Sequence, residues 1–342
     1  MRLMIYVSCA DDKSITLLEL EPATGTLREQ ARVAIPGTDV PSASSLPMAI
    51  SPDRRFLYAG LRTPPYPISS FAVDPSSGAL THRAMASLPD SMCYLSTDMT
   101  GSLLFSASYS GNKLAVSPIE HGLVQNSTQV VATPPHAHSV RADPANRFVY
   151  AASLGGDVLL CQRIDSVAGR IEPVARVAAA TARGAGPRHL QFARGGTLLY
   201  VINERDGSLN TYACDVVTGA LTELQSISLL QHPATGSAAA ADLHLTRDER
   251  FLFGSLRASN RLVSCAIDPL DGTLRVVGDV ASEPMPRGFA VEPAGRFLLC
   301  AGMRSGTVGV YAIDAVSGAL ERIGGVPVGA GPNWIEIVAL AA

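Results

Sequence analysis

The chain has 342 residues, 47% of them hydrophobic and 17% charged, with a formal net charge of −3. That apolar share supports a sizeable core and excludes a disordered chain. No basic block of five or more residues occurs, which argues against a nucleic-acid partner.

The first segment, MRLMIYVSCADDK, carries an apolar run cut off by Asp11 and Asp12. It is too short for a secretory core and far too short to span a bilayer, so it reads as a strand. A soluble, cytoplasmic protein with no membrane partner is expected. The cysteines at 9, 93, 161, 214, 265 and 300 show no CxxC pairing. In so long a chain they read as buried small hydrophobes in a reducing compartment, and neither a metal site nor any other cofactor is indicated.

From that strand onward one run keeps returning. LMIYVS begins at 3, FLYAGL at 56, LLFSAS at 103, FVYAAS at 148, LLYVIN at 198, FLFGSL at 251 and FLLCAG at 297. The aromatic or equivalent residues fall at 6, 58, 105, 150, 200, 253 and 299. A glycine turn recurs in step with them, as ATGTL, SSGAL, VAGRI, VTGAL, LDGTL and VSGAL, with EHGLV as a weak copy. Two signals sharing a period of about 45 to 53 residues point to propeller blades. Each unit resolves into four short strands, seen best in HSVRAD, FVYAAS, DVLLCQRI and IEPVARVA, separated by turn residues. No long window holds a helical period, so α-helix should be scarce.

The ends complete the pattern. The first unit starts at its second strand, and NWIEIVAL at 333 to 340 is a first strand with nothing after it. The expected fold is therefore all-β: a seven-bladed β-propeller of four-stranded blades, one domain over residues 1–342. The C-terminal strand should complete the first blade and remove an open edge.

In such a ring the first strands line the central channel, and the loops entering them share a face with those joining second strands to third. Function is sought there. Those loops hold Arg188, Arg257, Arg287 and Arg304 together with His136, His138, His189, Asn203, Glu204, Asp242, His244 and Trp334. Guanidinium groups facing one cavity without matching carboxylates imply that the ligand brings the negative charge. The candidates for proton chemistry are Glu204, Asp242, His138 and His189.

PHAHSVRADPANRFVYAASLGGD, GAGPRHLQF followed by LLYVINE, AADLHLTRDERFLF, and MPRGFAVEPAGRFLL with a closing GAGPNW resemble the lactonase-type seven-bladed propellers. That family holds the propeller form of 6-phosphogluconolactonase and the fungal carboxymuconate cyclase, and the resemblance covers nearly the whole chain. It implicates His138, Arg188 and Glu204 in catalysis. Arg257, Arg287, Asn203, His136 and Trp334 are then expected to bind substrate. Departures from the family pattern are Ser255-Leu256-Arg257 in place of Ser-Asn-Arg, Asp242 in place of Glu, and the Pro-rich loop TPPYPI at 63 to 68.

Alternation along a strand would send Arg188 and His189 to opposite faces. His189 is thus expected to pack between blades, and Trp334 to sit at the channel mouth. Asp242 and His244 could both point inward or tie one blade to the next.

The resemblance implies hydrolysis of a sugar-acid lactone, most simply a 6-phosphogluconolactonase-like reaction in carbohydrate metabolism and the pentose phosphate pathway. Arg257 and Arg287 would anchor the anion, Arg188 would face the carbonyl, and Glu204 or His138 would be the base. A carboxymuconate lactonising enzyme and a non-catalytic binding platform are the alternatives. The expected partner is a small anionic sugar lactone, and the protein is expected to be a monomer or weak homo-oligomer.

Overall fold

A computed structural model describes residues 2–40, 44–174, 177–231 and 236–340. Its strands form seven small antiparallel sheets, four strands to a blade, arranged as a seven-bladed β-propeller. Two of the outermost strands are split, into Leu123–Val124 with Gln129–Ala132 and into Arg170–Pro173 with Ala179–Ala180. Helix is confined, among the described residues, to the three-residue 3-10 turn Arg194–Gly196. No helix there is long and apolar enough to cross a membrane.

The inner strands, in ring order, are Pro332–Ala339, Met48–Ile50, Met92–Thr97, Ala137–Ala142, Pro187–Ala193, Ala240–Leu245 and Pro286–Val291. The first of these pairs antiparallel with Leu3–Cys9, so the chain's last strand closes its first blade as expected.

Burial explains why the repeated runs are so apolar. Second strands such as Phe148–Ser153, Leu198–Asn203 and Phe297–Gly302 are buried at every position, because a neighbouring blade covers each face. Outer strands such as Leu221–Ser228 and Leu320–Pro327 are half-buried or exposed at every position. The core lies between blades. Phe251 and Phe253 of the sixth blade, for example, pack with Phe289, Leu298 and Tyr311 of the seventh.

The two sequence markers turn out to be bonded to each other. The hydroxyl of Tyr6 donates to the Gly78 carbonyl (2.7 Å), Tyr58 to Gly122 (3.2 Å), Tyr150 to Gly219 (2.9 Å) and Tyr200 to Gly272 (2.8 Å). Each link runs from the second strand of one blade to the outer hairpin of the next. These four glycines have φ between 72° and 81°, a region that favours glycine. A Cβ there would also overlap a side chain from the preceding blade, such as Phe56 at Gly122 or Leu198 at Gly272.

Deleting the strand Pro332–Ala339 would strip the first blade of its inner strand and expose Leu3–Cys9 as an edge. A chain ending at residue 331 should lose its cooperative urea unfolding transition and elute as aggregate in size-exclusion chromatography.

Candidate active site

Every inner strand but one enters the channel through a β-bulge. Pairing jumps from Met92 to Tyr94, from Ala137 to Ser139, from Pro187 to His189 and from Pro286 to Gly288. In the closing strand the break falls between Pro332 and Trp334, and in the sixth blade it spans Ala241 and Asp242 opposite Ser255. A bulge leaves its extra residue out of the ladder and re-aims its side chain. Cys93, His138, Arg188, Arg287 and Asn333 are the extra residues, and together they line one small cavity in the channel. Ala241 holds the same position in the sixth blade and offers only its carbonyl.

The turns preceding these bulges carry a left-handed residue at His136, Gly186, Ala239, Met285 and Gly331. The carbonyl of that residue receives the first N–H after the second strand in several blades. Glu204 donates to Gly186 (2.7 Å), Arg257 to Ala239 (3.1 Å) and Met303 to Met285 (3.1 Å). Glu204 and Arg257 therefore occupy equivalent positions in neighbouring blades, above the cavity.

Arg304 falls one residue later, level with Ala258. It is exposed in an outer groove with Asp11 and Arg32, away from the cluster it was expected to join.

Arg188 is 1% exposed, so its charge must be matched within the protein. Its Nε donates to Glu204 Oε2 at 2.8 Å, and its Nη1 donates to the Ala241 carbonyl and lies 3.0 Å from His189 Nε2. Arg257 Nη2 stands 2.8 Å from the same Glu204 oxygen, while its Nε donates to the Ala239 carbonyl at 2.9 Å. The arginines thus do have a matching carboxylate, one shared by two of them, contrary to the sequence expectation. Arg287 has no hydrogen-bond or ion-pair partner among the described residues.

These charges set the proton affinities. Burial pushes the Glu204 carboxyl up, but Arg188, Arg257 and Arg287 outweigh it and leave it below the usual carboxylate range. Burial and the neighbouring Arg188 lower Arg257 to about 10, and burial with Arg188 and Arg257 lowers Arg287 well below its ordinary value. His138 is 4% exposed and its Nδ1 has no partner. Burial, then the positive charge of Arg188, holds it well below 6.5, so it is a neutral imidazole at pH 7.

One residue further along each strand comes a second layer: Tyr94, His189, Asp242 and Trp334. The rings of Tyr94, His189 and Trp334 close the channel. Tyr94 meets His189 edge-on at 5.1 Å and Trp334 at 5.3 Å, and His189 lies 5.2 Å from the ring of His138. Trp334 is therefore the floor of the cavity and not its mouth, with Nε1 donating downward to Glu336 Oε1 at 2.8 Å. Below this floor a second cavity of about 430 Å³ is lined by Arg141, Gln191, His244 and Glu336.

His189 does bond a neighbouring blade, through Nδ1 to Asp242 Oδ1 at 2.8 Å. It does so from within the channel, because the bulge at Arg188 cancels the alternation that would have sent the two residues apart.

Two expected substrate contacts lie elsewhere. Asn203 is fully buried, with Nδ2 donating to Ser208 Oγ (2.8 Å) and Asn210 Oδ1 (2.5 Å); it braces the hairpin beneath Glu204. His136 stacks on Tyr109 with ring centres 4.2 Å apart, and Tyr109 in turn meets His138 edge-on at 6.0 Å. His136 is thus a rim residue beside the cavity lining. Asn333 stands beside Trp334 at the head of its strand, where the loops were expected to converge, but Cys93 was not anticipated at the cavity, although aligning the repeats on Arg188 would have marked its position.

Burial and the charge of Arg188 lower His189 from 6.5 to about 4, against the pull of Asp242. Between those values the unfolded chain takes up a proton that the folded chain refuses, so stability falls with falling pH. The urea midpoint should decline as pH drops from 6.5 toward 4, and the decline should be shallower in His189→Phe.

The "Lactonase, 7-bladed beta-propeller" family model matches residues 4–337. A 6-phosphogluconolactonase of Serratia proteamaculans is 37% identical over 340 residues, covering 99% of this chain and all of the relative. One of Sodalis glossinidius is 35% identical with the same coverage. A periplasmic gluconolactonase of Pseudomonas aeruginosa superposes with a TM-score of 0.91 at 28% identity, covering 100% of each chain. With the propeller and its channel cluster already described, this likeness over the full length places the chain in the lactonase family of seven-bladed β-propellers.

Proposed function

We propose that the protein hydrolyses the lactone of a sugar acid, binding the substrate's anionic group at Arg287 and activating water with His138. The observation that carries this reading is Arg287, a guanidinium that lines the cavity with no partner among the described residues, beside the neutral imidazole of His138. Planar guanidinium donors suit carboxylate or phosphate. The curated relatives are named 6-phosphogluconolactonase, which favours phosphate as that anion.

Glu204 is poorly suited to be the base. Its Oε2 serves both Arg188 and Arg257, and they hold its carboxyl below the usual range. It acts instead as the clamp that sets the two arginines side by side. His138 takes the water proton as the water oxygen attacks the lactone carbonyl. Arg188 meets the oxyanion that forms, and Arg257 holds the opposite side of the cluster. Collapse of the tetrahedral intermediate breaks the ring C–O bond, and His138 returns its proton to the departing alkoxide. The open-chain acid is the product, and no covalent enzyme intermediate is involved.

Substrate charge also tunes the base. An anion at Arg287 offsets part of the positive field that depresses His138, raising its proton affinity toward the working pH, where a general base is most effective. We also propose a cytoplasmic location, supported by six cysteines that are all buried and unpaired.

Proton release from freshly generated 6-phosphoglucono-δ-lactone and glucono-δ-lactone, corrected for spontaneous opening, tests the assignment. The phosphorylated lactone should be accelerated more. His138→Ala should lower kcat by about 10²- to 10⁴-fold, the usual worth of a positioned base. Arg287→Met should raise KM for the phosphorylated lactone by about 10- to 100-fold, as for loss of one charged hydrogen-bond partner. No acceleration of either lactone would shift the reading to a lactone-forming enzyme or a binding platform.

A further inference from the structure

His189 is tied at both ring nitrogens, and its two partners leave only one proton arrangement. The Asp242 carboxylate can only accept, so the proton lies on His189 Nδ1, 2.8 Å from Oδ1. The Arg188 guanidinium can only donate, so His189 Nε2, 3.0 Å from Nη1, must be bare. A protonated ring would set one N–H against another and drive the guanidinium away.

Asp242 is itself held on every side. Oδ1 also receives the Leu243 N–H (3.0 Å), and Oδ2 receives the Phe289 N–H (3.3 Å) and faces His244 Nε2 (3.2 Å). Burial raises this carboxyl, but His244 and His189 outweigh it and hold it well below the usual range. Around the His189 ring, Tyr94 and His138 pack from two other inner strands, and Arg287 lines the same cavity.

From these contacts we propose that Asp242 and His189 form a hydrogen-bonded strut that fixes the Arg188 guanidinium toward the substrate carbonyl, making both of them positioning residues of the reaction. The proposal rests on the lactonase reading given above. Its chemical sense lies in the choice of acceptor. Glu204 already pairs with Nε and is shared with Arg257, so a second carboxylate on Nη1 would orient the guanidinium but cancel the positive charge that remains in the cluster. A neutral imidazole orients it and leaves that remaining charge for the oxyanion. Asp242, one ring further off, selects the tautomer without touching the guanidinium.

The experiment is a pair of double-mutant cycles on the full chain, read as lactone hydrolysis with folding followed by circular dichroism. His189→Phe and Asp242→Asn should each lower kcat by about 10- to 100-fold, typical for removal of a supporting partner, with KM nearly unchanged. In an Arg188→Ala background neither should cost anything further, because their effect passes through Arg188. Losses that multiply with that of Arg188→Ala, or folded variants with full activity, would overturn the strut. If Arg188→Ala itself retained full activity, the reading of the site would fall instead. Nitrogen-15 NMR of the wild-type protein at pH 7 needs no variant to fold: it should show His189 neutral with its proton on Nδ1, and an imidazolium or an Nε2 proton would equally overturn the proposal.

Discussion

A tyrosine hydroxyl donating to a glycine carbonyl in the next blade is the contact from which the rest of this ring takes its spacing. It occurs at Tyr6, Tyr58, Tyr150 and Tyr200. Each bond contributes only about 1 kcal/mol net, yet it joins the middle of one sheet to the outer turn of its neighbour. That link fixes both the separation and the stagger of adjacent blades. The blades without this tyrosine still use the same seat: Phe251 packs against Gly318 and Phe297 against Gly25. With blade positions fixed from outside, the inner strands converge on a channel where bulged residues from different blades reach a common point.

This contact also explains why so much of the fold was legible in the sequence. The aromatic marker and the glycine marker share a period because they touch. The missing first strand at one end and the surplus one at the other predicted the closing pair between Leu3–Cys9 and Pro332–Ala339. His138, Arg188, Glu204, Arg257 and Arg287 were all placed near one cavity by loop position and family resemblance. The finer placement failed where strand alternation was assumed. One extra residue at the head of each inner strand keeps Arg188 and His189 on the same side. Arg304 was misjudged for a related reason, since it lies one turn residue beyond the position shared by Glu204 and Arg257. Asn203 looked like a rim residue, but strand pairing turns its amide toward Asn210. Nothing in composition or spacing marks a bulge; only the pairing register does.

The electrostatics of the channel show a division between parts that are settled and parts left open. Arg188, Arg257 and Glu204 form a closed set, as do His189, Asp242 and His244. In each set the polar groups are bonded to one shared carboxylate, which lets them remain buried. Arg287 and His138 stand outside both sets. A protein carries an uncompensated guanidinium beside an unbonded imidazole at some cost in stability, and strain of this kind concentrates where a ligand completes the arrangement.

The closing strand has a consequence for how the protein is made. During synthesis Leu3–Cys9 leaves the ribosome early, while the segment that pairs with it is added more than 320 residues later. At about 5–20 residues per second that is a wait of roughly a quarter of a minute to a minute. Later blades can stack on one another as they emerge, but the nascent ring stays open at one seam. The same late segment brings Asn333 and Trp334, one wall and the floor of the cavity. Closing the ring and completing the cavity are thus a single event, and a chain stalled short of its final strand has neither.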